Sequence, residues 1–386
     1  MPTPQQSNFR QMVDQVLKKY PLYDASRVKD DINEALRSLT ARRPWSGLVQ
    51  YSVLAVPAQY TTGTVTVTAS SNIVTGVSTA WPFTDLVNTT ISTATIESGI
   101  VDITPAAMTN IIPGRWLVLN GGGAAEEAVY VIAIDSAQGT FRARTTTTHA
   151  AGQTITCGSL AGRQFRTSSA SPFATCAGFT SATRMILDRT WPLATAATQS
   201  YEITAVYVSL GQNVAEILTM VNSDRQYRFD VTCTKAELDS IDPRRAQSQM
   251  PWRMAFHETD LAGAPLWELW PRPTSLAAYP VFYIKHWNPL DGDNDILPNG
   301  IRSDVLVKMA RAEAARWPGH KTLQGGIYYD LKLSESLMGE AEREVAYMKN
   351  QDDSTAIMQL VYQYRRWPLG GGGGQYHETD DLSWGV

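Results

Sequence analysis

Asp291-Gly292-Asp293-Asn294-Asp295 comes nearest to a chemical site in this chain of 386 residues. Alternate carboxylates on a tight loop can converge on a hard cation such as Ca²⁺. The calcium-loop pattern fails, because Ile296 holds its sixth position and Arg302, not glutamate, its twelfth. The spacing therefore predicts a solvated turn ahead of a helix near Ile301. His257-Glu258-Thr259-Asp260 recurs as His377-Glu378-Thr379-Asp380, but neither copy has HExxH spacing, and the five histidines show no ligand spacing. Gly121-Gly122-Gly123 follows a strand yet lacks the lysine and helix of a phosphate cradle, so it reads as a flexible turn. No GxSxG, P-loop or carboxylate-pair spacing singles out a nucleophile or an acid–base couple. The expectation is a protein that is not an enzyme, with no catalytic residue, no metal and no cofactor.

Charge and cysteine usage point the same way. A formal net charge of −4 argues against a phosphate-neutralising DNA binder. The doublets Arg42-Arg43, Arg244-Arg245 and Arg365-Arg366 are isolated, which favours protein contacts between subunits over phosphates. Charged residues make up only 18% beside 11 Trp and 16 Tyr, so partners are expected to cover much of the surface. Cys157, Cys176 and Cys233 are too scattered for a disulfide framework and read as packed thiols from a reducing cytosol. No apolar run of about 18 residues exists, so no membrane span is expected. The opening MPTPQQSNFR lacks the basic-then-apolar order of a signal peptide, which predicts no export by the usual route.

The elements that would position these residues fall into five stretches. Residues 1–47 read as two helices, with Phe9, Met12, Val13, Val16 and Leu17 on the first. Val28, Ile32, Ala35, Leu36 and Leu39 stripe the second, which starts near a Ser26 cap and ends at Pro44. Residues 48–190 are rich in Val, Thr, Ser, Ala and Gly. Thr64-Val65-Thr66-Val67-Thr68 alternates, Ser70-Ser71-Asn72 turns, and Ile73-Val74-Thr75 alternates again before Gly76 and Trp81-Pro82. Further strands are predicted over 48–56, 116–119, 127–134, 140–143 and 154–157, a pattern of a barrel or sandwich. Residues 191–300 are mixed, with strands over 201–207, 226–230, 252–257, 266–270 and 281–287 and a short helix over 235–241. Residues 301–350 predict an αα-hairpin. Its stripes are Ile301, Val305, Met309, Ala312, Trp317 and then Leu331, Ser334, Met338, Ala341, Val345, Met348. The fold class is thus α+β: a helical body from both chain ends, a large inserted β-domain and an extended tail.

Residues 351–386 form that tail. A strand or short helix is expected over 356–364, followed by five glycines at 370–374. An aromatic and acidic segment on a glycine tether resembles a docking peptide. Arg365, Arg366, Trp367, Tyr376, Leu382 and Trp384 are the candidate partner-docking residues.

Taken in order, these pieces resemble the head-to-tail adaptor (connector) proteins of tailed bacteriophages. The carrying stretches are SRVKDDINEALRSLTARRPWS, the GTVTVT…VTGVSTAWP unit, LDRTWP…ATQSYEI and ELWPRPTSLAAYPVFYIKHWNPL, then the closing helices. The resemblance implies a homo-oligomeric ring, usually of about twelve copies, mounted beneath the portal protein. It implies a C-terminal segment docked into the portal, a tail or neck protein on the other side, and genomic DNA passing through without specific binding. Virion location at the neck, after synthesis in the host cytoplasm, follows from it. Two alternative functions are a tail- or fibre-associated β-domain holding carbohydrate or another tail protein, and a cell-wall hydrolase. The hydrolase needs a carboxylate pair or zinc ligands that the sequence does not single out.

Overall fold

The structure, a computed structural model, describes residues 7–92, 97–317 and 330–366. Helix α1 (Phe9–Leu17) opens on Asn8, which forms a capping box with Gln11. Helix α2 (Ala25–Arg42) is capped by Asp24, whose carboxylate accepts the Ser26 N–H, so the cap lies two residues before the predicted Ser26. A single 3-10 turn, Ser46–Leu48, leads into β1 (Val49–Val56).

From there the chain enters nested insertions. Strands β2 (Thr64–Val67) and β3 (Ile73–Val77) begin one sheet, which is interrupted by β4 (Val87–Thr90), β5 (Gly99–Ile103), β6 (Trp116–Leu119), β7 (Glu127–Asp135), β8 (Thr140–Thr145) and β9 (Thr154–Cys157). The first sheet resumes with β10 (Gln164–Arg166), β11 (Ala174–Ser181), β12 (Arg184–Leu187), β13 (Ala196–Gln199) and β14 (Glu202–Thr204). Strands β15 (Tyr207–Val208), β16 (Val214–Asn222) and β17 (Tyr227–Arg228) follow. Helix α3 (Lys235–Ile241) and strands β18 (Arg253–Thr259), β19 (Pro265–Trp270) and β20 (Ala277–Lys285) complete the β part. Helices α4 (Ser303–Arg316), α5 (Leu331–Asp353) and α6 (Ala356–Arg366) close the described chain, so 356–364 is helix rather than strand.

Strand pairing makes two barrels and a sandwich. The order β13-β2-β3-β12-β11-β10-β14 curls until Tyr60 and Ile203 exchange backbone hydrogen bonds at 2.9 Å. Its interior holds Val65, Val74, Trp81, Phe165, Phe179 and Ile203. The inserted order β4-β9-β6-β7-β8-β5 closes through an Ile91–Pro105 bridge, with Ala106 N–H donating to Thr90 O at 2.8 Å. Leu117, Val129, Phe141 and Ile155 fill it. The sheets β1-β20-β16-β17 and β15-β19-β18 face each other over Leu54, Met220, Met254, Leu269 and Tyr279. The other face of β16 and β20 presents Leu218 and Ile284 to the helices. Strand β1 pairs with β20, and β13 and β14 belong to the first barrel, so the two barrels draw on residues 60–204.

Helix α4 is the axis of the helical layer. Val305, Leu306, Val307, Met309, Ala310, Ala312, Ala314 and Ala315 are all buried, so it is covered on nearly every side and not along one stripe. On α5, Ser334, Ala341 and Met348 are buried as the stripe predicts, while Leu331 is exposed. Cys157, Cys176 and Cys233 are free and buried, and burial pushes each thiol upward, to about 11 for Cys157 and Cys233. Native protein should therefore leave all three thiols unreactive to an aromatic disulfide at pH 8, with full reaction after denaturation. Fast reaction of a native thiol would contradict this packing.

Candidate functional site

The densest polar constellation among the described residues is a buried arginine junction where the first barrel meets the sandwich. Arg166 comes from β10, Glu202 from β14 and Glu268 from β19, while Arg245 and Arg272 sit on loops beside α3 and β19. Arg166 is 2% exposed and Glu268 2%, so these charges have left water and must be paired. Glu202 Oε1 accepts from both Arg166 and Arg272, and Gln59 donates to Glu202 Oε2 at 2.5 Å. Arg166 also donates to the carbonyls of Arg244 and Arg245, at 2.9 and 3.0 Å. Arg245 pairs with Glu268 and reaches Asp239 at 2.5 Å, and its own carbonyl accepts from Arg272 at 2.7 Å.

Desolvation pulls the Arg166 pKa down, and Glu202 only partly offsets it. For Arg245 burial works in the same direction, but Glu268 and Asp239 outweigh it and raise the pKa. Both stay charged at any working pH. Asp242 anchors the loop. Burial alone would raise its carboxyl, yet the N–H groups of Gln247 and Ala246, the Trp270 indole and Arg245 together lower it. A depressed carboxylate contributes stability above its unfolded pKa and loses it as pH falls through the folded value. Asp242→Asn should thus cost about 1–3 kcal/mol at pH 7. Thermal melts should show that gap shrinking below about pH 4; a gap independent of pH would count against the charged role.

The junction has no nucleophile and no unpaired base; its chemistry is that of a joint. Companion contacts fix the barrels to each other and to the sandwich. Tyr130 Oη donates to Asp260 Oδ2 at 2.6 Å, tying the inserted barrel to the β18–β19 turn. Gly178 lets β11 meet β6, since a Cβ there would stand 2.1 Å from Val118 Cγ2. Glu126 accepts from Arg184 and from the Gly122 N–H at 2.6 Å, so the glycine run is a tied turn rather than a loose one. Inside the second barrel His149 is fully buried, with Nε2 2.6 Å from Glu127 Oε1 and Nδ1 2.9 Å from Gln153 Oε1.

The predicted sites fare unevenly. In the 291–295 loop the backbone carbonyls of Asp293 and Asp295 accept the N–H groups of Arg10 and Phe9 at the start of α1. The Asp295 carboxylate closes its own turn, and that of Asp293 faces Arg10 and Lys29. Among the described residues no three His, Cys, Asp or Glu side chains gather as metal ligands would. In two of the doublets three of the four guanidinium groups pair within the subunit, and the Arg244 side chain is exposed. Arg43 pairs with Asp352 and Asp353, Arg42 with Glu342, and Arg245 sits in the junction. Arg365 and Arg366 end α6, and Trp367, Tyr376, Leu382 and Trp384 lie outside the described residues, as does the second His-Glu-Thr-Asp copy. Its first copy is structural: Asp260 Oδ1 accepts from Ala262 and Ala264, and His257 stacks on Tyr207 with Lys235 donating to Nδ1 at 2.9 Å.

Outer surfaces are the remaining candidates. Strand β1 ends its sheet and carries Tyr51 and Val53, 59% and 49% exposed, on an apolar face. No described helix is long and apolar enough to cross a membrane. No protein-family model matches the chain, and no curated protein matches it.

Proposed function

We propose that the chain is a virion structural protein, a head-to-tail adaptor that forms a ring between portal and tail and continues the DNA conduit. The observation carrying this reading is the nested architecture. Both chain ends feed one helical layer, and two barrels project from it on a charge-paired joint. A part that acts by shape needs that joint held in one orientation. The open edge of β1, with Tyr51 and Val53, supplies a face for a neighbouring copy. Ring symmetry would multiply many weak seams into a stable collar of about twelve copies.

A glycan-holding module would need exposed aromatic side chains on the barrels. Trp81, Trp191, Phe165, Phe179 and Tyr201 instead point into the first barrel, and the large hydrophobics exposed between residues 60 and 204 are aliphatic. That favours the adaptor. The docking role assigned to the tail is tested by deleting residues 370–386 and measuring binding to purified portal rings. Loss of binding with an unchanged circular dichroism spectrum is expected; unchanged binding would refute the docking role.

A further inference from the structure

A groove of about 980 Å³ runs between α2 and the segment that leaves β20. Trp287 gives it an apolar wall, with Leu36, Leu48 and Ile284 buried behind. At one end Lys285 Nζ stands 5.0 Å from the centroid of the Trp287 ring, with no carboxylate partner among the described residues. The Trp287 indole N–H is buried and lacks an acceptor. The other cations of the groove are engaged: Arg37 with Glu34, Arg42 with Glu342, and Arg43 with Asp352. Asp30 and Glu216 also line it, so the cationic character is local to Lys285. An ammonium without a carboxylate partner beside an apolar wall suits a ligand that brings both carboxylates and hydrophobic side chains.

One segment of this chain has that composition. Residues 375–386 contain Glu378, Asp380 and Asp381 with no lysine or arginine, together with Tyr376, Leu382 and Trp384. We propose that in the free subunit residues 375–386 occupy this groove of their own chain, with the carboxylates at Lys285 and Trp384 or Leu382 against the wall. Reach permits it. Helix α6, about 16 Å long, packs Met358 and Val361 into the cluster that contains Leu218 of β16 and Ile284 of β20. Ala215 and Glu216 of the same β16 line the groove. The eight residues 367–374, five of them glycine, span about 15 Å on average and about 27 Å at full extension. A tether of that length presents the segment at about millimolar effective concentration, which favours the copy's own groove over a neighbour's at micromolar protein. The segment would then be withheld from any partner until that partner outcompetes the groove, a consequence that does not rest on the adaptor reading.

The test uses the full chain at micromolar concentration, prepared as a mixture of ¹⁴N and ¹⁵N copies. A water-soluble carbodiimide converts a carboxylate to its O-acylisourea; an amine in contact attacks the acyl carbon, forms the amide and expels the urea, which carries away one carboxyl oxygen. The close Lys308–Glu344 pair is the internal standard. Mass spectrometry should find Lys285 joined to Glu378, Asp380 or Asp381 within single-isotope copies. Trp384→Ala should lower that yield at least fivefold while the standard holds. Coupling of the standard without coupling of Lys285 to the segment would overturn the proposal. So would mixed-isotope pairs alone, which would place the segment in a neighbour, or a yield indifferent to Trp384→Ala.

Discussion

Glu202→Ala is expected to destabilise the chain by about 3–5 kcal/mol, a large part of the stability of a typical domain. Its carboxylate is the shared acceptor for Arg166 and Arg272 where barrel and sandwich meet. Removing it leaves two buried guanidinium groups facing each other, with only the weaker influence of Asp242 on Arg166 as counter-charge. Their remaining carbonyl acceptors satisfy hydrogens but not charge. The cost should therefore come mainly from stranded charge and not from lost attraction. Adding Arg166→Met and Arg272→Met to Glu202→Ala should recover most of the loss, since a buried ion cluster replaced as a unit is often nearly neutral. Chemical denaturation followed by fluorescence measures both variants. A loss below about 1 kcal/mol for the single substitution, the usual size of an exposed pair, would show that the junction is wetter than its burial implies.

Trp81→Ala should cost about 3–5 kcal/mol as well, through a cavity in the first barrel. The ring is 1% exposed and lies between Phe179 and Tyr201, with centroids 5.6 and 5.9 Å away. Its Nε1 donates to Tyr201 Oη at 2.9 Å, and that hydroxyl donates in turn to Thr62 O at 2.6 Å. Gly76 is part of the same arrangement, since a Cβ there would come within 2.9 Å of the Trp81 ring. Hydrogen exchange should localise the damage, with β2, β3, β11 and β12 losing protection while α2 and α4 keep theirs. Equal loss in the helices would mean that the barrels and the helical layer unfold as one unit.

The sequence was most legible where one face of an element meets one core. The stripes of α1 and α2 were readable because their buried residues recur at helical spacing. The strands of the inserted barrel at 116–119, 127–135, 140–145 and 154–157 were readable because they alternate or run apolar between turns. Strand β16 was missed: Val214-Ala215-Glu216-Ile217-Leu218 carries helix formers, and two register shifts against β20 break its alternation. Strands β4 and β5 are short, β4 is mostly polar, and closure of their barrel depends on pairing that no local pattern encodes. The arginine junction was invisible for the same reason. Glu202, Arg245 and Arg272 lie 36, 79 and 106 positions beyond Arg166, and topology alone brings the four together. Arg244-Arg245 was noticed as a doublet, but exposure to partners and burial in a joint leave the same trace in sequence.

Electron microscopy of the purified full chain in negative stain, alone and mixed with portal rings, tests the central claim most directly. The account predicts closed collars of uniform diameter that stack coaxially on the portal. Single copies that neither close nor bind portal at any concentration would contradict it.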